Sequence, residues 1–251
     1  MSESLWELSG WSLVTVSAII LAGGVVRGFG GFGASMVWVT GMALVLSPKM
    51  VIPTALMLEV MASLQLLPQV WPDVHWRSLR WLTLGSLVGL PLGTWALVTA
   101  DEQLIRTWIA VLVLVAVGLM ATKFRTRAMP GGPVATGVGV ISGSLTGAVA
   151  MGGPPVILMY FSSPQHVVVG RSSAIVFFLV SDVLAIGSAA LGGLVSVDML
   201  LQVALLFPAS LAGVAVGAHL YRRAGQANIR NFVLWLLMGL ACVVLAQTLL
   251  G

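Results

Sequence analysis

Charged side chains are scarce in this sequence. Only 8% of its 251 residues are Asp, Glu, Lys or Arg, whereas an average soluble domain carries about 25%. Hydrophobic residues make up 59% of the chain, and the mean hydropathy is +1.05. So few charges cannot cover the surface of a water-soluble domain. The composition predicts a protein that crosses the lipid bilayer several times, and it excludes a soluble enzyme and a disordered chain.

Cysteine and cofactor motifs are nearly absent as well. Cys242 is the one cysteine, so neither an intrachain disulfide nor a cysteine metal cluster is expected. The three histidines lack metal-ligand spacing, and we expect no metal and no cofactor. Gly28, Gly30 and Gly33 match the dinucleotide fingerprint in form. That motif needs a preceding strand and an acid about 20 residues later, and neither is present.

The basic residues lie in short clusters between apolar segments. Twelve basic and eight acidic residues give a net charge of +4, and this distribution predicts no nucleic-acid partner. Nine of the twelve fall in the loops 71–80, 123–132, 163–171 and 222–230. Basic loops face the cytoplasm, so we expect a multi-pass membrane protein with both termini on the outer side.

Six apolar segments reach the length of about 20 residues that a membrane-spanning helix needs. They are 50–70, 81–100, 104–122, 172–192, 199–221 and 231–250. Two further regions, 11–47 and 133–162, are interrupted by VRGFGGFG (from Val26) and MGGPP (from Met151), which leaves pieces of about 14 to 16 residues in the first region. Gly and Pro interrupt regular helix, so each region predicts a broken or re-entrant hairpin.

Sequence patterns recur between the two halves of the chain. The 13-residue spacing from Gly93 to Arg106 recurs from Gly217 to Arg230, and the two glycine clusters lie 122 residues apart. We therefore divide the chain into an N-terminal segment (1–10), a first membrane repeat (11–122), a cytoplasmic linker (123–132) and a second membrane repeat (133–251). The predicted fold is an all-α polytopic membrane protein with two inverted repeats, each a broken or re-entrant helix hairpin plus three transmembrane helices. Whether each hairpin spans twice or dips and returns stays open.

The two breaks predict an anion site near the middle of the membrane. A helix that restarts after a break offers free N–H groups and the positive end of its dipole. The expected substrate-binding residues are Arg27, Gly30, Gly31, Gly33, Gly152, Gly153 and Pro154. The alternatives are that the glycines only permit close helix packing, and that Arg27, inside the first break, reaches lipid headgroups or the cytoplasmic interface.

Other polar residues within the apolar segments are candidates for coupling. Glu59 and Asp182 lie near the centres of their spans, where burial disfavours the ionised form of a carboxyl group. They are expected to carry protons or pair with a charge, or alternatively to be protonated acids that join helices. Lys49, His166 and Arg171 are candidate vestibule residues, although Lys49 and Arg171 also suit anchoring at the membrane interface.

Three sequence pieces resemble the sulfite exporter TauE/SafE family, also called the toluene sulfonate uptake permease family. They are VRGFGGFGASM with Pro48 after it, the run GxxSGxxTGxxxMGGPPVILMYF from Gly139, and a closing GxxxGxxL helix pair. The resemblance covers essentially the whole chain. It implies transport of a small sulfur-containing anion, such as sulfite or a sulfonate, across the bacterial inner membrane, commonly outward, with the two glycine motifs lining the path. Both termini are then expected in the periplasm.

These observations predict a secondary transporter and not an enzyme. A membrane potential favours anion exit by about 2.3 kcal/mol per charge per 100 mV, and inward proton movement is a second expected driving force. One rival is an anion channel of the same fold. Another is an intramembrane hydrolase that uses Ser142 or Ser144 with His166, although serines beside glycines are ordinary helix packing. The particular anion and the oligomeric state, with a homodimer as one option, stay open.

Overall fold

The computed structural model describes residues 10–43, 46–121, 131–162 and 167–223. Within these ranges the chain forms α-helices, one 3-10 turn (Trp71–Asp73) and no strand, which confirms the all-α class. The helices are α1 (Gly10–Gly30), α2 (Ala34–Met42), α3 (Pro48–Val70), α4 (Trp76–Thr99), α5 (Glu102–Ala121), α6 (Gly132–Val149), α7 (Gly153–Ser162), α8 (Val167–Leu191) and α9 (Val197–Arg223). The predicted span 231–250, most of the linker, Cys242 and His166 lie outside the described residues.

Six of the described helices are long and apolar enough to cross a membrane. These are α1, α3, α4, α6, α8 and α9. The outer helices expose large apolar side chains, among them Leu92 and Trp95 of α4 and Leu201 and Val216 of α9. A continuous apolar exterior is unfavourable in water and favourable in lipid. The predicted polytopic membrane class is therefore confirmed.

The first hairpin differs from the prediction. α1 has 21 residues and continues through Arg27 to Gly30, so the break is only Gly31–Gly33. The predicted pieces of 14 to 16 residues, with Arg27 inside the break, are wrong. Gly28 is a packing residue, because a Cβ there would collide with the backbone oxygen of Val214 in α9. A glycine inside a helix lowers the stability of that helix by about 1 kcal/mol relative to alanine.

Glycines also bring α4 and α6 into close contact. Cβ atoms added at Gly85, Gly89 and Gly93 would collide with backbone oxygens of Thr136, Val140 and Ser144, respectively. The residue numbers increase together along both helices, so α4 and α6 run parallel. The same reasoning applies to α1 and α9, where Gly24 and Gly28 face Ser210 and Val214. This packing matches the small-xxx-small spacing of membrane helices.

Contacts at the helix ends show how α3 is oriented relative to α4 and α8. The end of α3 is next to the start of α8, because the His75 backbone N–H donates to Ser173 Oγ at 2.9 Å. The start of α3 is next to the end of α4, where Lys49 Nζ donates to the Val98 oxygen at 3.3 Å. Helices α3 and α8 therefore run antiparallel. Together with the parallel pairs α1/α9 and α4/α6, these directions agree with two inverted repeats, which we retain as an interpretation.

Both hairpins turn back inside the bundle. α2 returns alongside α1, since Trp38 Nε1 donates to the Ile20 oxygen at 2.8 Å. The tip of this hairpin contacts Glu59 and Ser63 of α3, and its Gly31 packs against Arg171 near the start of α8. In the second hairpin, α7 returns until Tyr160 bonds Ser78 at the start of α4. Both hairpins therefore return toward the side from which they start, and whether either one spans the bilayer twice stays open.

Candidate functional site

The first break is a left-handed turn between α1 and α2. Gly31 and Gly33 have φ of 79° and 87°, a backbone region that costs other residues about 1–2 kcal/mol. Gly33 directly precedes α2 and is its N-cap residue. The turn thereby directs the amide end of α2 toward the middle of the bundle. It explains why this segment needs glycine at two of its three positions.

Arg27 lies one turn before this break and is 1% exposed. Its Nε is 3.0 Å from Glu59 Oε2, its Nη1 donates to the Gly31 oxygen at 3.0 Å, and its Nη2 donates to Ser63 Oγ at 2.6 Å. The guanidinium also lies 5.2 Å from the centre of the Phe178 ring. The alternative in which Arg27 reaches headgroups or the interface is therefore wrong. A buried cation requires such partners, because desolvation costs several kcal/mol.

Glu59 connects Arg27 to the start of α2. Its Oε1 accepts a hydrogen bond from the Ser35 backbone N–H at 2.9 Å. A carboxylate at this place caps an otherwise unpaired amide and interacts favourably with the helix dipole. The sequence predicts that a substrate anion binds at the start of α2. In the structure, the carboxylate of Glu59 binds there.

The second break has a different construction. α6 ends at Ala150, which adopts a left-handed conformation with φ of 55°. The Gly152 oxygen then accepts a hydrogen bond from Ser142 Oγ at 2.6 Å, and α7 begins at Gly153. Pro154 and the proline after it have no N–H group. The expectation that Pro154 donates to an anion is therefore wrong, and the usable amides here are those of Gly152, Gly153 and Val156.

Polar atoms at the second break lack partners. Asp182 is 5% exposed, and its Oδ2 has no hydrogen-bond partner among the described residues. Thr146 Oγ1 is also buried without a hydrogen-bond partner in the described part of the chain. Buried polar groups in proteins are normally paired, so an unpaired cluster calls for a specific explanation. A role in binding a ligand is one such explanation.

The two breaks meet at one small cavity. Its empty space, counted together with its open mouth, is about 250 Å³. The lining residues are Arg27, Phe32, Gly33, Ser35, Glu59, Thr146, Ala150, Gly152, Gly153, Phe178 and Asp182. The cavity brings Arg27 and glycines of both breaks together, and both acids also line it, whereas the roles of these residues stay predictions.

The remaining predicted residues lie outside this cavity. Gly30 ends α1, and Gly31 packs against Arg171. Arg171 is buried, donates to the oxygens of Gly28 and Phe29 at 2.6 and 3.3 Å, and stacks on Tyr221. It thus caps the carbonyl end of α1, so its predicted anchoring at the membrane interface is wrong.

Lys49 is partly exposed and bonds the Val98 oxygen at the opposite end of the bundle. This position agrees with either a vestibule or an interface role. Ser142 is fully buried and uses its hydroxyl for the bond to Gly152. That geometry gives no support to the hydrolase alternative, whose histidine, His166, lies outside the described residues.

Several residues of the site were not singled out from the sequence. Ser63 lies one helical turn after Glu59, and this i, i+4 spacing is a signal that was available. Thr146 belongs to the SGxxTG run that carries the family resemblance. Ser35 contributes only its backbone N–H, and Phe178 only its ring, so no sequence pattern identifies either residue.

The sulfite exporter TauE/SafE family model matches residues 16–244, nearly the whole chain. The chain belongs to this family. The resemblance found from the glycine motifs is therefore confirmed, and a membrane transporter of sulfite or sulfonate-type anions follows from TauE/SafE membership. The family is one of transporters and not of enzymes. No curated protein and no solved structure matches this chain.

Proposed function

We propose that this protein is a secondary transporter of the bacterial inner membrane that exports sulfite or a small sulfonate through the cavity between the two breaks. The observation that carries the proposal is the convergence there of the Arg27 guanidinium with the first residues of α2 and α7. Guanidinium groups and helix N-termini are the usual ligands of oxyanions.

The charges in the cavity suggest how protons take part. Arg27 is opposed by Glu59 and Asp182, so an anion would be repelled if both acids were ionised. Of the two, Asp182 is the acid without a cationic contact in the described structure. We therefore assign the coupling proton to Asp182, which would be neutral when the anion is bound. Glu59, paired with Arg27, is the weaker candidate for a proton carrier.

This assignment changes the direction expected for the proton. If anion binding requires a neutral Asp182, the proton moves with the anion and not against it. A divalent oxyanion that moves with one proton still carries one net negative charge outward. The membrane potential therefore drives export of divalent sulfite by about 2.3 kcal/mol per 100 mV, whereas a monovalent sulfonate that moves with one proton carries no net charge and gains nothing from the potential.

Transport by reconstituted protein tests the proposal. Proteoliposomes loaded with labelled sulfite should release it faster under an inside-negative potential, with saturation and with counterflow on addition of external sulfite. Release without saturation or counterflow would instead indicate a channel. We expect Arg27→Ala to slow release about a hundredfold, as for truncation of a buried charge contact.

The matched control is Arg77→Ala, which removes an exposed arginine at the start of α4 and should leave release close to wild type. Asp182→Asn should release sulfite without the accompanying proton, measured with a pH-sensitive dye inside the vesicles. Equal release by wild type and Arg27→Ala would contradict the proposed site.

A further inference from the structure

We propose that the Glu59 carboxylate is an internal stand-in for the transported oxyanion, and that the substrate binds by displacing it from Arg27 and from the start of α2. This inference rests on the proposed function, because it concerns the same anion site. It adds a competitive step to substrate recognition.

The contacts of Glu59 are those expected of a bound oxyanion. One carboxylate oxygen lies 3.0 Å from Arg27 Nε, and the other accepts the Ser35 N–H at 2.9 Å. A guanidinium and a helix N-terminal amide together form a common site for carboxylate, sulfate and phosphate groups. The substrate cannot use these two donors while Glu59 holds them.

The number of oxygen atoms distinguishes the substrate from its stand-in. A carboxylate has two oxygens, and Glu59 uses both at the first break. Sulfite and sulfonates have three. The hydroxyl of Thr146 is a buried donor without a hydrogen-bond partner in the described structure, and it lines the same cavity beside Gly152 and Gly153. A three-oxygen anion in the place of Glu59 would have an oxygen left for this second group of donors.

Displacement has a measurable consequence for affinity. A site that is occupied by its own side chain for most of the time binds ligand with an apparent Kd raised by the inverse of its free fraction. Removal of the Glu59 charge should therefore strengthen substrate binding. A purely structural role for Glu59 predicts the reverse, because loss of the ion pair would disorder Arg27.

The first experiment measures binding of labelled sulfite to purified protein in detergent. We expect Glu59→Gln, which keeps the side-chain volume, to lower the Kd about tenfold or more. Glu59→Asp retains the competing charge and should stay near wild type. Ser63→Ala removes a different contact of Arg27 and should weaken binding. Equal or weaker sulfite binding by Glu59→Gln would overturn the inference while leaving the proposed function in place.

The second experiment replaces the side chain with a free carboxylate. Acetate should raise the melting temperature of Glu59→Ala and have little effect on Asp182→Ala, since Asp182 has no cationic contact in the described structure. Stabilisation by acetate without any sulfite binding would support the internal stand-in and reject the proposed substrate. Absence of acetate stabilisation in Glu59→Ala would count against the stand-in.

Discussion

The two breaks share one arrangement of helices but differ in their backbone turns and in their chemistry. Each joins a long helix to a short returning one, and each presents a helix start to the shared cavity. At the first break, guanidinium, carboxylate and amide are paired with one another. In the second half of the chain, Asp182 Oδ2 and Thr146 Oγ1 have neither a hydrogen-bond partner nor an ion pair among the described residues. With an offset of 122 residues, the position in the second half that corresponds to Arg27 is Val149. The first break therefore has a cation that the second break lacks.

This difference suggests a division of labour between the halves. The first break is preorganised for an anion, because its groups already hold a carboxylate. The second half contributes Asp182, an acid that forms no ion pair among the described residues.

The largest effect is expected from removal of the cation that distinguishes the breaks. Arg27→Ala leaves Glu59 buried without its ion-pair partner, which should cost about 3–5 kcal/mol of folding free energy in addition to the loss of transport. Thermal unfolding in detergent measures the cost. The double variant Arg27→Ala/Glu59→Ala should recover part of it, because the two residues are coupled. Strictly additive losses would contradict the pairing.

The two acids should respond differently to neutralisation. Glu59→Gln breaks an ion pair and should lower stability by about 3 kcal/mol in the absence of added anion. Asp182→Asn removes no ion pair, and we expect a change below about 1 kcal/mol. Comparison of the two unfolding midpoints checks this prediction. Similar losses in both variants would remove the proposed asymmetry.

The glycines of the two breaks should also differ in tolerance. Gly33 has a positive φ, so Gly33→Ala should cost about 1–2 kcal/mol. A Cβ at Gly153 would meet only ordinary contacts, at 3.7 Å from Phe32 and 3.8 Å from Phe178. Gly153→Ala should therefore be nearly neutral for stability. The melting temperatures of the two variants can be compared. A lower melting temperature for Gly153→Ala than for Gly33→Ala would contradict the left-handed turn at Gly33.

The smallest effect is expected at the end of α6. Ala150 has a positive φ of 55°, which glycine adopts more easily. Ala150→Gly should therefore stabilise the protein by up to about 1 kcal/mol, the scale of the left-handed penalty. Ala148→Gly, inside α6, is the matched control and should destabilise by a similar amount. A lower melting temperature for Ala150→Gly would show that this turn does not store strain.

Much of the fold was predictable because the bilayer imposes strong rules on composition and length. The low charge content and the long apolar runs indicated the membrane class. The ends of α3, α4 and α8 lie within one residue of the predicted ends, whereas α4 and α8 each begin five residues earlier than predicted. The error at the first hairpin arose because a glycine has two uses. Gly28 and Gly31 look alike in sequence, but one packs against α9 and the other forms the turn.

The sequence by itself determined that this chain is a helical membrane protein, that it belongs to a family of anion transporters, and that polar residues accompany two glycine breaks. Those properties depend on local composition and spacing. Tertiary structure alone decided that Glu59 pairs with Arg27 while Asp182 does not, and that Arg171 caps α1. Such pairings depend on which side chains meet across helices that are distant in sequence, and a buried charge depends on that meeting for its stability.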